Sequence, residues 1–408
     1  MFGVFILKKV LSLLLSFCLI VSFSATAFAK TVSSECSTDD LDIPLDETAA
    51  DAVIGQTLDI KAKSCILMEV STGKVLYEMN PSERLAPASI TKIMSLLLVF
   101  EAIDRGDIDL ETVVSASEHA CSMGGSQIWL EPGEAMTVDD LLKASVIASA
   151  NDAITALGEH LYGSEEGFVA AMNAKAKELG LTGTTFLNCT GLDAEGHLTT
   201  AYDVAVMSKE LIKHQLVKQY STVWMDSLRD GESELVNTNK LVRFYKGTTG
   251  LKTGTTSIAK YCLSATAERE GMELVAVVMA GDSSTDRFEG AKKLLDFGFA
   301  NFKNSVLDGN LKETEIDVKK GVLKTVQIEC NDTVSVLLKK GASAEIKREI
   351  VWNEDITAPI KKGDVLGYVN IYMEETQVGA LKITAKEPVK KLTVMYAVLE
   401  IFKEIFQI

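Results

Sequence analysis

The chain has 408 residues, 57 of them acidic and 41 basic, for a formal charge of −16, and 47% are hydrophobic. That length supports two or three domains with a sizeable core. The acidity argues against nucleic-acid binding, because phosphate contacts need a basic stripe.

Residues 1–29 read as a secretory leader. Lys8 and Lys9 give the positive start, "VLSLLLSFCLIVSF" the apolar centre, and Ala27-Phe28-Ala29 the small-x-small cleavage pattern. The mature chain would begin near Lys30 and work outside the cytoplasmic membrane. Cleavage removes two lysines and no acids, leaving 41 − 2 = 39 basic residues against 57 acids, a charge of −18. Six cysteines would remain, without C-x-x-C or other metal-ligand spacing, and are expected to be mostly structural.

Residues 30–55 form an acidic, polar lead-in. "CILMEVSTGKVLYEM" predicts two strands within 64–79, joined at Ser71-Thr72-Gly73. Apolar periodicity predicts helices over 89–105, 138–161 and 165–179, then strands over 259–268 and 272–281 and a helix over 286–302. Strands at both ends of a helical middle imply an α+β domain with one antiparallel sheet, spanning 56–305. Beyond Asn304 come short alternating runs broken by Gly, Asp and Lys turns, an all-β module at 306–390.

The last stretch, 391–408, is helical again. Wound as a helix it places Thr393, Ala397, Glu400, Lys403, Glu404 and Gln407 on one stripe. Met395, Val398, Leu399, Phe402, Ile405 and Phe406 fill the opposite face. Such a helix suits the membrane interface, and its internal acids make it a poor transmembrane span. A helix packed on the β module is the alternative.

Chemistry enters with Ser-x-x-Lys, which occurs three times, at Ser71–Lys74, Ser89–Lys92 and Ser257–Lys260. The first lies in a hairpin and the last in a loop or strand context. Ser89 alone opens a long helical pattern, where residues three apart share a face. Two further short motifs could complete a site. Ser149-Ala150-Asn151 interrupts a helical stretch, and Lys252-Thr253-Gly254 directly precedes the strand pair. Each alone reads better as capping, turn or loop residues. Together, in this order, they form the set found in penicillin-binding proteins and related serine enzymes.

On these motifs, and on "GGSQIWLEPGE", "GLDAEGHLTTAYD" and "RFEGAKKLLDFGF", the chain resembles the D-alanyl-D-alanine carboxypeptidases, the low-molecular-mass penicillin-binding proteins. The resemblance implies a β-lactamase/transpeptidase-like domain, and it extends to the β-rich tail and the terminal amphipathic helix. It implies peptidoglycan stem peptides and β-lactams as partners, the outer face of the cytoplasmic membrane as the location, and no cofactor or metal. Ser89 would be the nucleophile, Lys92 its base and Ser149 a proton relay. Asn151 would hold the substrate amide. Lys252 and Thr253 would face its terminal carboxylate, with Lys252 charged, and Gly254 would let the strand come close. Backbone N–H groups of Ser89 and Thr255 would form the oxyanion hole.

For Lys92 to act as a base it must fall about 3 units below the ordinary lysine value of about 10.4. Burial and the charge of Lys252 are the expected causes. Arg287 either helps fix the carboxylate or makes a surface ion pair, and His197 is expected in a structural hydrogen bond. Two other functions compete. A serine β-lactamase would need an efficient deacylating residue, for which Asp193 and Glu195 are the open candidates. A non-catalytic wall-docking protein would have no need of Ser89, Lys92, Ser149 and Lys252 together.

Overall fold

A computed structural model of the chain describes residues 58–341, 345–373 and 375–406; the expected leader at 1–29 and lead-in at 30–55 lie outside the described residues. The first domain is built on a five-stranded antiparallel sheet. Its strands are β1 (Ser64–Glu69) and β2 (Val75–Met79), then, after two short hairpins, β7 (Thr248–Thr256), β8 (Lys260–Arg269) and β9 (Met272–Gly281). The hairpins pair β3 (Val113–Ser115) with β4 (Ala135–Thr137) and β5 (Met225–Leu228) with β6 (Ser233–Val236). In space the order is β2-β1-β9-β8-β7, so the chain's first strands meet its last ones and β7 is an edge.

Both faces of the central strands are apolar and covered. Helix Ser284–Asn301 packs its Phe288, Leu294 and Leu295 on one face with Leu67, Leu274 and Val278. The helical region between β2 and β7 covers the other face, where Ile66, Val275 and Val277 join Ile93, Leu97, Leu142, Ile154 and Met207 in one core. Lys92–Arg105 is the buried axis of that region, ended by Gly106 in the left-handed conformation (φ 76°).

The structure differs from or adds to the expected elements in three places. The helical pattern at 138–161 is not one helix. It runs Val138–Lys143, loosens into a π turn at Ala144–Ala148, breaks at Ser149 (φ 66°, ψ 28°), and restarts as Asn151–Tyr162. Periodicity continued through a break that the dihedrals of a single residue create. Lys252-Thr253-Gly254 precedes the β8–β9 pair as expected, but it lies inside a further strand, β7, whose sequence "TTGLKTGTT" lacks apolar alternation. Helix Ala201–Lys213, which crosses the core through Val204, Met207 and Leu211, was not expected at all.

The β-rich tail begins at β10 (Phe302–Asp308), directly after the helix, which pairs with β13 (Thr333–Lys339). A second sheet takes β11 (Glu315–Asp317), β12 (Thr325–Glu329), β14 (Ile346–Trp352), β15 (Val365–Met373) and β16 (Thr376–Ala385) in the order β11-β12-β16-β15-β14. Its own core includes Val326, Val336, Val369, Ile371 and Ile383. Buried Glu69, at the end of β1, accepts from Asn304 Nδ2 at 2.7 Å and from Ser71 and Thr72, tying the first domain to β10. Helix Val394–Phe406 closes the described chain, with Val394, Met395, Val398, Leu399, Ile401, Phe402, Ile405 and Phe406 all exposed.

Candidate active site

Ser89 sits in a single 3₁₀ turn, Ala88–Thr91, that feeds the helix beginning at Lys92. Ala88 is held in the left-handed region (φ 50°), a conformation that costs a non-glycine residue free energy and turns the chain sharply before the serine. Lys92 is then on the same face as Ser89, and its Nζ donates to Ser89 Oγ at 3.1 Å. The other two Ser-x-x-Lys pairs go elsewhere. Ser71 donates to Glu69 in the hairpin, and Lys260 pairs with Asp282 at the surface.

The lysine amine has no exposed surface. Besides Ser89 it donates to the Thr190 carbonyl at 2.9 Å and to Asn151 Oδ1. Burial pushes its pKa down to about 7, against the raising influence of Cys189 and Asp152. The expected help from Lys252 runs the other way. Lys252, also buried, lies well below the ordinary lysine value because of burial first, then the charges of Lys92 and Arg287. Its Nζ has a single acceptor, the Thr253 carbonyl at 3.5 Å.

The break after the π turn explains Ser149. Left-handed at Ser149, the chain turns its hydroxyl inward, where Oγ is buried without a hydrogen-bond partner. Two residues on, Asn151 begins a helix with both ends of its amide engaged: Oδ1 by Lys92, Nδ2 by the Gly124 carbonyl at 2.6 Å. Asn151 thus positions Lys92, with one amide hydrogen and one lone pair left for a ligand. Asp152, next to it and fully buried, accepts from the backbone of Ile128 and Leu130 and fixes the 124–130 loop over the motif.

β7 is pressed onto the Ser89 turn at Gly254. A Cβ there would stand 2.8 Å from the Pro87 carbonyl oxygen and 3.1 Å from the Ile90 nitrogen. The glycine therefore admits the turn itself. Thr253 Oγ1 donates to Thr238 Oγ1 at 2.7 Å. Arg287 is not in a surface ion pair. It is buried, with Nη1 donating to the Gly254 carbonyl at 3.0 Å and to Thr255 Oγ1 at 2.8 Å. It braces the end of β7 from behind.

His197 is in a structural hydrogen bond. Its Nδ1 accepts from the Leu187 N–H at 3.1 Å, so Nε2 carries the proton and donates to Thr91 Oγ1 at 2.9 Å. Burial lowers its pKa to about 4, and the ring stays neutral while locking the 183–199 loop to the Ser89 turn. Asp193 and Glu195 are exposed on that loop, and Asp193 accepts from Thr256 Oγ1 at 2.7 Å. Among the described residues no group of three or more His, Cys, Asp or Glu side chains could hold a metal ion. The Thr190 and Gly124 carbonyls, Asp152 and Gly191 complete the site and were not found from sequence. Backbone carbonyls carry no residue-type signal, although the left-handed Gly191 in "NCTGL" could have been suspected as a turn.

The family model described as D-alanyl-D-alanine carboxypeptidase matches residues 49–283, and that described as penicillin-binding protein 5, C-terminal domain, matches residues 303–391. The chain is 43% identical over 390 residues to D-alanyl-D-alanine carboxypeptidase DacF of Bacillus subtilis, covering 94% of this chain and 95% of that one. A peptidoglycan synthesis regulatory factor (PBP3) from Streptococcus pneumoniae superposes with a TM-score of 0.70 at 28% identity, covering 82% of this chain and all of that one. Penicillin-binding protein D2 from Listeria monocytogenes, in its ampicillin-bound form, gives 0.55 at 31% identity, covering 60% of this chain and 100% of that one.

Proposed function

The chain belongs to the D-alanyl-D-alanine carboxypeptidase family, and on that footing we propose that Ser89 is the residue through which it works. The protein is a serine D-Ala-D-Ala carboxypeptidase that binds penicillin, and its substrates are peptidoglycan stem peptides. One observation carries the assignment of residues: the Lys92 amine, wholly buried and lowered to about 7, lies 3.1 Å from Ser89 Oγ.

Ser89 Oγ attacks the carbonyl between the two D-alanines as neutral Lys92 takes its proton. Charge builds on the carbonyl oxygen, which the N–H groups of Ser89 and Thr255 stabilise. Collapse breaks the peptide bond, and the proton passes from Lys92 through Ser149 Oγ to the departing amine. Water then hydrolyses the Ser89 ester and returns the hydroxyl. The substrate's terminal carboxylate pairs with Lys252 and favours its charged form, while Asn151 keeps Lys92 aimed.

D-alanine release from a peptide ending in D-Ala-D-Ala tests this reading, and the pH profile carries the detail. The reactive form of Lys92 is the neutral one, so kcat/KM should rise with pH on a limb centred near 7. A profile flat from pH 5 to 9, or no release at all, would remove Lys92 from the base role or the activity from the chain.

The same reading puts the enzyme outside the cytoplasmic membrane, on the strength of the leader pattern at 1–29, with helix Val394–Phe406 lying in the interface. Eight exposed large apolar side chains support the second point, and among the described residues no helix is long and apolar enough to cross a membrane. A chain at −18 is repelled by anionic lipid, so attachment must be apolar. Each buried large side chain contributes roughly 1.5–3 kcal/mol. Binding should survive a high-salt wash and yield to detergent, and removing 391–408 should free an active enzyme. Continued membrane binding by the truncated protein would refute the anchor.

A further inference from the structure

Glu165, outside the catalytic motifs, joins the two loops that hold the acceptors of Lys92. It lies in the first turn of helix Glu165–Glu178, which Ser164 caps by accepting from the Gly167 N–H. An acid in that turn favours the helix by itself, and its neighbour Glu166 meets that need while standing exposed. The Glu165 side chain, by contrast, is only 15% exposed, and both of its oxygens are engaged. Oε2 accepts from His119 Nε2 at 2.8 Å, and Oε1 accepts from the Cys189 N–H at 3.1 Å.

Each arm leads to a carbonyl that matters to Lys92. His119 belongs to the short helix Glu118–Cys121, which runs into the loop whose Gly124 carbonyl accepts from Asn151 Nδ2. Cys189 precedes Thr190, whose carbonyl accepts from Lys92 Nζ. The Cys189 carbonyl accepts from Ser95 Oγ at 2.7 Å, so with Glu165 on its N–H that residue is gripped at both ends. A neutral lysine has two N–H bonds and one lone pair. With the Thr190 carbonyl and Asn151 Oδ1 taking the two N–H bonds, the lone pair faces Ser89 Oγ, where the serine's proton must go.

We propose that Glu165 is a positioning residue for acyl transfer, strapping the 118–130 segment to the 187–191 segment and so fixing the two acceptors that orient the Lys92 lone pair. His119 is the other half of the strap. Their hydrogen bond holds the imidazole above its ordinary pKa, with Glu159 and Glu166 adding to the effect, which favours the ion-paired form. The inference rests on the proposed roles of Ser89 and Lys92 and adds the group that holds the base's acceptors in place.

The test follows D-alanine release against pH in Glu165→Ala, Glu165→Gln, His119→Ala and Glu166→Ala. Glu165→Ala should lower kcat about tenfold, less than the hundredfold of a full 1 Å displacement, and leave KM within about twofold. Loosening Thr190 also weakens an acceptor that favours the ammonium form of Lys92. The rising limb of kcat/KM should therefore move down by about half a pH unit even as its plateau falls. Lost folding alone would lower the plateau and leave the midpoint in place. The side chains that otherwise act on Lys92 (Asp152, Cys189 and Lys252) are the same in every variant. Glu165→Gln keeps an oxygen for the Cys189 N–H and should recover most of the loss. Glu166→Ala removes the neighbouring first-turn charge and should match the wild type. His119→Ala leaves the Cys189 bond in place and should show the same signature at smaller size, including where Glu165→Ala does not fold. A Glu165→Ala enzyme that behaves like Glu166→Ala, or slows with an unshifted limb, would overturn the strap. So would a Glu165→Gln enzyme no faster than Glu165→Ala. A wild-type enzyme that releases no D-alanine would overturn the reading of Ser89 beneath it, a result separable from the others.

Discussion

Lys92→Arg should slow acylation of Ser89 by penicillin about a thousandfold, the middle of the range for loss of a general base. A guanidinium stays protonated near neutrality and cannot take the serine's proton. It also cannot fit a point amine's place, where three acceptors (Ser89 Oγ, Thr190 O and Asn151 Oδ1) converge on one fully buried nitrogen. Lys92→Met, closer in shape and without a charge to bury, should lose as much while keeping the thermal midpoint near that of the wild type. Lys252→Arg keeps the cation that the substrate carboxylate needs and should lose less. Stopped-flow acylation rates decide it: equal losses at the two lysines would erase the distinction between base and carboxylate partner.

Gly191→Ala should damage stability and activity together. Gly191 has φ +88°, and a Cβ there would stand 1.8 Å from the Ala88 carbonyl oxygen and 2.9 Å from the Ser89 nitrogen. Both are backbone atoms of the nucleophile's own turn, so relief requires moving that turn. We expect a loss of roughly 2–4 kcal/mol. Displacing the serine by about 1 Å should also cost on the order of a hundredfold in acylation. Gly133→Ala is the matched control, since it has φ +82° with nothing within 4 Å of the added carbon. It carries the strain without the collision and should keep acylation intact. If the two variants behave alike in calorimetry and in penicillin labelling, the contact between the 183–199 loop and the Ser89 turn is not what holds the nucleophile.

These two positions also show what a sequence can and cannot disclose. Ser89 and Lys92 were legible because helical spacing puts them on one face, and their neighbours' apolar periodicity marks that helix. Asn151 was legible as a motif, yet its grip on Lys92 depends on a break at Ser149 that periodicity ran straight through. Helix Ala201–Lys213 left a weak trace although eight of its 13 residues are buried, because polar Asp203 and Ser208 are among the buried ones and blur its apolar face. Gly254 and Arg287 were picked out for the ligand, and their contacts with the Ser89 turn and with the end of β7 had no local signal. Contacts between segments nearly a hundred residues apart, such as the Thr190 carbonyl on Lys92, leave no local trace in composition or spacing.

The central claim is that one serine of three, the one at the head of the buried helix, carries the acyl group. Peptide mass analysis after penicillin treatment tests it directly. The account predicts a single stoichiometric adduct in the peptide containing Ser89, absent from Ser89→Ala. An adduct at Ser71 or Ser257, or undiminished labelling of Ser89→Ala, would contradict it.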